Sequence, residues 1–311
     1  MRHLLLLIAF VAIAISAKAE VAQVAILSHG DQITTFQSSN AFAQAVEAAE
    51  DGDVITLSSG SFAATDITKN LTIRGAGMMP SQNPTILSGD FKINIDPTTE
   101  GELSFEGIYN NNQVSVENAN VISLLKCNIK KFGTPLWNNI TVNDIKVIQS
   151  FINTFDCRPN TLSATFVSSY IPDYIVHSRN NGAANATNCI IESWDNTHYK
   201  NCIILGSSGS GTRTFANCIS NSVNFAYSPI TANNQYLPEI ENFFKEDSDC
   251  YELKDEYATR FLGNDGTQVG IHGGALPFDP VTTSLKIKRF SVGSRTTADG
   301  KLPIEIEIDG N

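Results

Sequence analysis

One short pattern recurs six times between Val121 and Ser220 and constrains the fold more than any other feature. Each copy has a polar residue, a small Cys or Ser, a variable residue and, in five of the six copies, an isoleucine. The copies are Lys126–Ile129, Gln149–Ile152, Ser168–Ile171, Asn188–Ile191, Asn201–Ile204 and Asn217–Ser220. Counted at the Cys or Ser, successive copies are 23, 19, 20, 13 and 16 residues apart. A short segment that returns about every 20 residues is typical of a solenoid, in which each repeat stacks on its neighbours.

The spacing inside each copy indicates a β-strand. The small residue and the isoleucine are two positions apart, so in a strand both side chains point to the same face. Stacked copies therefore predict ladders of Cys or Ser and of Ile inside a parallel β-helix. A β-sandwich is the alternative, but its strands recur about every 8–12 residues and need no identical residues in register. The step of 13 residues from Cys189 to Cys202 is short for a three-sided coil, so the phasing around 189–218 stays open.

Residues 1–19 have the form of a secretory signal peptide. Arg2 precedes an apolar run from Leu4 to Ile15, and Ala17-Lys18-Ala19 is a small-residue cleavage pattern before Glu20. A membrane span needs about 18 apolar residues or more, and this run is shorter. We therefore expect an exported protein without a transmembrane segment, located in the periplasm, at the cell surface or outside the cell. We also expect a monomer.

The charge distribution disfavours nucleic acid as a partner. Removing Arg2 and Lys18 with the signal peptide leaves 19 basic and 32 acidic side chains, a formal net charge of −13. Residues 101–236 are nearly neutral and hold no basic stripe that would neutralise phosphates. They contain 22 asparagines instead, and amide groups suit a neutral glycan or polysaccharide. Asparagine also has a structural role, because it tolerates left-handed turns between strands.

The six cysteines of an exported chain would ordinarily suggest disulfides. Four of them, Cys127, Cys189, Cys202 and Cys218, occupy the repeated position, where Cys serves as a small buried apolar residue. Parallel side-chain vectors on adjacent coils disfavour disulfide geometry. We therefore expect mostly free thiols in a ladder.

Residues 40–51 read as an amphipathic capping helix with Asn40 at its N-cap and Phe42, Ala45, Val46 and Ala49 on one face. The helix and the three segments that follow it resemble the entry to a right-handed parallel β-helix of the pectin-lyase-like superfamily. These segments are "GDVITLSSGSF", "ITKNLTIRGAG" and "PTILSGDF". A stretch with "FF", "YEL" and "DGTQVGIHGG" resembles the closing coil of such proteins.

The resemblance implies an all-β solenoid domain over residues 20–280, but it specifies the fold better than the activity. Residues 281–311 read as a two-stranded appendage. Ile304, Ile306 and Ile308 alternate with Glu305 and Glu307, and Leu285 to Val292 would be the partner strand.

Catalytic machinery is not evident in the sequence. The Asn-Thr-Asp, Asp-Asp and Gly-His-Gly elements of the polygalacturonase-like family are missing, as are the Asp clusters with which pectate lyases bind calcium. A divergent lyase or hydrolase site would draw on loop groups instead. Its candidate residues are Asp173, His177, Arg179, Asp195, His198 and Lys200. Solvated loop charge is the competing interpretation of all six. We expect no cofactor, with Ca²⁺ considered only for a lyase.

Aromatic side chains supply the candidate binding residues, because their rings stack on sugars when they are exposed along one face. The candidates are Trp137, Trp194, Tyr170, Tyr174 and Tyr199. The alternative for each is packing in the core. Three functions therefore remain open: a glycan-binding protein without catalysis, a divergent polysaccharide lyase or glycoside hydrolase, and a structural or adhesive spacer at the cell surface.

Overall fold

The structure of the protein is a computed structural model. It describes residues 23–133, 141–157, 161–176, 183–193, 197–207, 213–221, 234–246, 248, 250–282, 286–292 and 304–309. Over these ranges the chain is mostly β-structure and winds into a parallel β-solenoid of about seven turns, so the predicted fold class is confirmed. No helix in this part of the chain is long and apolar enough to cross a membrane.

Successive coils place their strands in three parallel sheets. The first sheet contains β3 (Val54–Leu57), β5 (Thr72–Arg74), β8 (Glu102–Glu106), β11 (Thr141–Ile148), β13 (Thr161–Val167), β16 (Ala183–Thr187), β18 (Thr197–Lys200) and β20 (Arg213–Ala216). The second contains β4 (Gly60–Ala63), β6 (Thr85–Ser88), β14 (Tyr170–Ile171), β17 (Ile190–Ser193), β19 (Ile203–Ser207), β21 (Ile219–Ser220) and β22 (Gln235–Tyr236).

The third sheet contains β7 (Phe91–Asn94) and β15 (Asp173–Val176). β10 (Asn128–Gly133) and β12 (Phe151–Cys157) begin in the second sheet and end in the third. β9 (Ile108–Leu125) runs through all three sheets, because it pairs in turn with β6, β7 and β8.

The recurring small residues and isoleucines form the predicted ladders inside the solenoid. All six Cys and Ser markers are fully buried. Ile129 pairs with Ile152, and Ile191 pairs with both Ile171 and Ile204, in adjacent coils. The cysteines whose side chains are described are free thiols: Cys127, Cys189, Cys202, Cys218 and Cys250. The thiol ladder is therefore confirmed for these residues, and the side chain of Cys157 lies outside the described set.

The small markers also carry hydrogen bonds between coils. Cys127 N donates to Ser150 Oγ at 3.0 Å, and Ser150 N donates to Ser169 Oγ at 3.2 Å. Cys189 N donates to Cys202 Sγ at 3.4 Å. A small side chain with a lone pair is thus needed at this position, because the backbone N–H of the preceding coil is buried and must find an acceptor.

The polar residue that opens each copy turns the chain from the first sheet into the second. These residues all have φ between +47° and +55°: Lys126, Gln149, Ser168, Asn188, Asn201 and Asn217. The left-handed conformation costs most L-residues about 1–2 kcal/mol, and Asn tolerates it best because its side chain bonds locally. Gly107 occupies the same turn one coil earlier, with φ +66°. The polar position of the motif is therefore a turn position.

An antiparallel hairpin and a helix cover the N-terminal end of the solenoid. The hairpin consists of β1 (Val24–His29) and β2 (Gln32–Gln37), and β1 continues the first sheet by pairing with β3. The helix α1 (Ala41–Ala48) is shorter than the predicted 40–51. Its apolar face is buried as predicted, but the Asn40 side chain makes no capping hydrogen bond. At the other end of α1, Lys69 Nζ donates to the carbonyl oxygens of Val46 and Glu47, both at 3.0 Å.

The segment 237–282, which we call the C-terminal cover, does not form the closing coil that the sequence resemblance predicted. The helices among its described residues are a single turn of 3₁₀-helix (Ile240–Phe243) and the short helix α2 (Asp255–Ala258). The cover lies along the outside of the second sheet rather than adding a turn to it. Ile190, Ile203 and Ile219 point outward from that sheet and pack against apolar side chains of the cover. The physical reason is that outward-facing isoleucines on a solenoid need a layer over them.

The cover follows the turn residues coil by coil. Asn264 N donates to Asn201 Oδ1 at 3.2 Å, and Gly270 N donates to Asn201 O at 2.9 Å. Gln149 Nε2 donates to Pro277 O, and Lys126 Nζ contacts Asp279 Oδ2 at 3.3 Å. The polar turn ladder of the solenoid therefore also holds the cover in place.

The C-terminal residues form the predicted pair of strands. β23 (Lys286–Val292) and β24 (Ile304–Asp309) are antiparallel, with Phe290 opposite Ile306.

Candidate functional site

A cleft of about 490 Å³ opens on the outside of the second sheet, beside Tyr251 of the C-terminal cover. Twelve described residues line it: Met79, Pro80, Ser81, Tyr109, Asn110, Asn111, Asn128, Lys130, Phe151, Asn153, Tyr170 and Tyr251. Its volume is in the usual range of small-molecule sites.

The position of the cleft follows from the outward residues of the second sheet. Tyr109, Asn128, Phe151 and Tyr170 occupy matching positions in four consecutive coils. The next coil has Ile190 at this position, and that residue lies beneath the cover. The cleft therefore lies where the outward ladder changes from amide and aromatic side chains to isoleucine.

One wall of the cleft is a pair of stacked tyrosines. The rings of Tyr170 and Tyr251 lie nearly parallel, with centroids 3.9 Å apart, and Phe151 meets the edges of both. Tyr251 comes from the cover and has φ +54°, an unusual conformation for a bulky residue. Such strain persists only where surrounding contacts hold it, and here the rings of Tyr170, Phe151 and Phe244 contact Tyr251.

Burial raises the pKa of Tyr170, and a hydrogen bond with Tyr251 adds to the effect. Its hydroxyl is therefore a neutral group at physiological pH. A phenol in this state donates and accepts hydrogen bonds but does not act as a phenolate base.

The floor of the cleft is lined by amide groups. Asn110 is buried, and both polar atoms of its amide are hydrogen-bonded within the protein. Its Nδ2 donates to Leu87 O at 2.7 Å and its Oδ1 accepts from Asn112 N at 2.9 Å. Asn111 and Asn153 are exposed, and Lys130 is an exposed neighbour on β10. None of the described lining residues is Asp or Glu. The cleft thus offers amides, hydroxyls, aromatic rings and one ammonium group.

The predicted catalytic residues do not meet in this cleft. Asp173 is half-buried on β15 in the third sheet and accepts a hydrogen bond of 3.0 Å from Thr154 Oγ1. His198 and Lys200 are exposed on β18 in the first sheet, where His198 Nδ1 lies 2.7 Å from Thr214 Oγ1. The structure therefore brings His198 and Lys200 onto one strand and leaves Asp173 on another sheet. His177, Arg179 and Asp195 lie outside the described residues.

The predicted aromatic residues separate into two groups. Tyr174 and Tyr199 are 1% and 2% exposed, so both are core residues and the prediction that they stack on a glycan is corrected. The Tyr174 ring packs against Phe155 and Phe166, and Tyr199 stacks on Phe215. Their positions point inward because the strand alternates between the two faces. Tyr170 lines the cleft, and Trp137 and Trp194 lie outside the described residues.

The sequence interpretation missed Tyr251, Tyr109, Lys130 and the segment Met79–Ser81. Tyr251 is 81 positions from Tyr170, and no local pattern connects them. A usable signal existed for Lys130, because it lies two residues after the variable position of its copy and therefore shares the outward face of the strand. Tyr109 and the segment Met79–Ser81 lie outside the six copies. No group of three or more His, Cys, Asp or Glu side chains suited to a metal ion occurs within the described ranges.

Comparison with models of known protein families, with curated proteins and with solved structures found no match to this chain.

Proposed function

We propose that this chain is an exported β-helix protein, similar to the pectin-lyase-like superfamily, that binds a short segment of glycan in the cleft and does not cleave it. The observation that carries the proposal is the combination of a stacked tyrosine wall with a floor of exposed amides. Sugar rings present apolar C–H faces to aromatic rings and hydroxyl groups to amides. The cleft offers both kinds of group side by side.

The absence of carboxylates among the described lining residues supports binding without hydrolysis. Glycoside hydrolysis ordinarily needs a pair of carboxyl groups on either side of the scissile bond. Asp173, a carboxylate on the third sheet, does not line the cleft. Among the described lining residues Lys130 alone carries a charge, and as an ammonium group it can donate hydrogen bonds to sugar hydroxyls.

The test begins with a glycan array and continues with calorimetric titration of any glycan that binds. Asn153→Ala and Tyr251→Asn each remove a cleft group, and Asn at position 251 is compatible with the left-handed backbone. We expect each variant to weaken binding by about tenfold. Asn185→Ala, on an exposed position of the first sheet, is the matched control and should bind like the original protein.

Catalysis is tested on the same glycans. Reducing-end release and the ultraviolet absorbance of unsaturated products should both stay at background. Turnover of any glycan would contradict the non-catalytic proposal and favour a divergent lyase or hydrolase. Failure to bind any glycan would leave the structural or adhesive spacer.

Export is tested separately. Expression with residues 1–19 intact should yield a processed chain outside the cytoplasm whose N-terminus is Glu20. This part of the proposal is supported by the charged start, the apolar run and the Ala17-Lys18-Ala19 pattern.

A further inference from the structure

The backbone around Tyr251 is held by hydrogen bonds to nearby residues of the cover. Ser248 Oγ accepts from Cys250 N at 3.2 Å and from Glu252 N at 3.3 Å, on either side of Tyr251. Glu252 O accepts from Lys245 N at 2.8 Å. These bonds support the left-handed conformation of Tyr251, but they do not fix where its ring lies relative to the second sheet.

His272 bonds this backbone to a distant part of the cover. Its Nε2 lies 2.7 Å from Cys250 O, the carbonyl directly before Tyr251. Because a carbonyl oxygen only accepts, Nε2 carries the hydrogen and donates it. The two residues are 22 positions apart, so the bond joins two segments that no local pattern connects.

The turn that carries His272 is attached to the solenoid. Gly270 N donates to Asn201 O at 2.9 Å. Ile271 is buried with the outward isoleucines of the second sheet, and its carbonyl oxygen accepts from Phe278 N at 2.7 Å. His272 therefore extends from a fixed point of the fold, and its hydrogen bond holds the backbone beside the cleft at a fixed distance from that point.

The same histidine also supports the aromatic rings of the cleft. Its ring meets Phe278 edge to face, with centroids 6.0 Å apart and planes at 87°. Phe278 stacks on Phe151 at 4.7 Å, and Phe151 meets the edges of Tyr170 and Tyr251. His272 thus supports the tyrosine pair at two points, the backbone beside Tyr251 and the ring of Phe278.

We propose that His272 is a positioning residue of the cleft, which sets the place of the Tyr251 ring against Tyr170. The inference rests on the proposed function, because this pair of rings is the wall offered to a glycan. His272 is not among the described residues that line the cleft, so it acts through Tyr251. A wall that is already in place spares the ligand the cost of ordering it, and this raises the affinity.

Two substitutions separate the hydrogen bond from the bulk of the ring. His272→Ala removes the donor. His272→Gln keeps it, because the Gln Nε2 is as many bonds from the backbone as the His Nε2 and also carries hydrogens. Urea unfolding shows whether each variant is folded. Where the Ala variant does not fold, His272→Asn replaces it, since its amide nitrogen is one bond closer to the backbone.

Two readouts need no glycan. Burial and a hydrogen bond with Tyr251 raise the pKa of Tyr170, so separation of the two rings should lower it. Ultraviolet absorbance should therefore show one further tyrosine ionising below the unfolding pH in His272→Ala but not in His272→Gln. Exchange of the amides of residues 250–253 should become about tenfold faster in the Ala variant and stay unchanged in the Gln variant.

The affinity is measured by calorimetric titration with the array glycan that binds most tightly, and the Ala variant should bind it about tenfold more weakly. Unchanged exchange and ionisation in the Ala variant would overturn the inference. Equal changes in the Ala and Gln variants, or an unchanged affinity in the Ala variant, would also overturn it. A chain that binds no glycan would contradict the proposed function instead, and the two glycan-free readouts would still decide whether His272 positions Tyr251.

Discussion

Asn201 and Asp265 are 64 positions apart in the chain, and Asn201 Nδ2 donates a hydrogen bond of 3.1 Å to Asp265 Oδ2. The same Asn201 has φ +55° and is fully buried at the turn between the first and second sheets. One side chain thus closes a coil of the solenoid and holds the C-terminal cover against it.

Replacing Asn201 should destabilise the protein through both roles. We expect Asn201→Ala to lower the free energy of unfolding by about 2–4 kcal/mol, from lost hydrogen bonds and the left-handed backbone. Asn201→Gly loses the same bonds but adopts positive φ freely, so its loss should be about 1 kcal/mol smaller. Urea unfolding of both variants checks this. Equal losses for Ala and Gly would show that the backbone conformation contributes nothing.

Removing an inter-coil hydrogen bond of the small markers should also lower the stability of the protein. Ser150→Ala leaves the buried Cys127 N without the acceptor that now lies at 3.0 Å, which should cost about 1–3 kcal/mol. Ser150→Cys should cost less, because Cys202 Sγ accepts the equivalent bond from Cys189 N. The free energies of unfolding of the two variants measure the difference. An Ala variant as stable as the original would contradict the role assigned to the ladder.

The ladder thiols should be unreactive in the folded protein. Burial raises the pKa of Cys127 to about 12, and it also raises the pKa values of Cys202 and Cys218. The thiolate is the reactive form, so an alkylating reagent at neutral pH should label these three residues only after denaturation. Mass spectrometry without a reductant checks both the labelling and the free thiols. Labelling of Cys127 in the native state would be inconsistent with the closed core.

The N-terminal end should show a pH-dependent stability. A hydrogen bond from the His29 ring to Asp53, at 2.7 Å, raises the pKa of His29 above 6.5, and the charges of Asp53 and Glu50 add to it. A raised pKa in the folded state means that the stabilisation is complete below pH 6.5 and is lost as the pH rises through the folded value. The melting temperature of the original chain should exceed that of His29→Gln most below pH 6.5, and the difference should shrink as the pH rises through the raised folded pKa. A constant difference over this range would contradict the ion pair.

The structure shows how much the variable position of the repeat can predict. Read along the six copies, this position holds Asn128, Phe151, Tyr170, Ile190, Ile203 and Ile219. Because neighbouring residues of a strand point to opposite faces, it lies outside whenever the small marker and the Ile lie inside. The change from an amide at Asn128 to aromatic rings and then to isoleucine therefore indicates increasing burial along the outside of the second sheet, and Phe151, which stacks on Phe278, is already under the cover.

Other parts of the site had no such signal. Tyr251 enters the cleft from the cover, whose described residues include no strand, and its contact with Tyr170 depends on the path of the whole cover. For Tyr174 and Tyr199 the sequence did contain a signal, because the alternation of side chains along β15 and β18 places both rings inside the solenoid.

The sequence by itself determined the winding of the chain. The period of the repeat, its buried thiols and hydroxyls, and its polar turns are local properties, and successive coils repeat them. Only the tertiary structure decided where the C-terminal cover lies and which outward residues stay open to form the cleft. The reason is that each coil bonds to its nearest neighbours through a repeated pattern, whereas the cover is held by single contacts between residues far apart in the chain, such as that of Asn201 with Asp265.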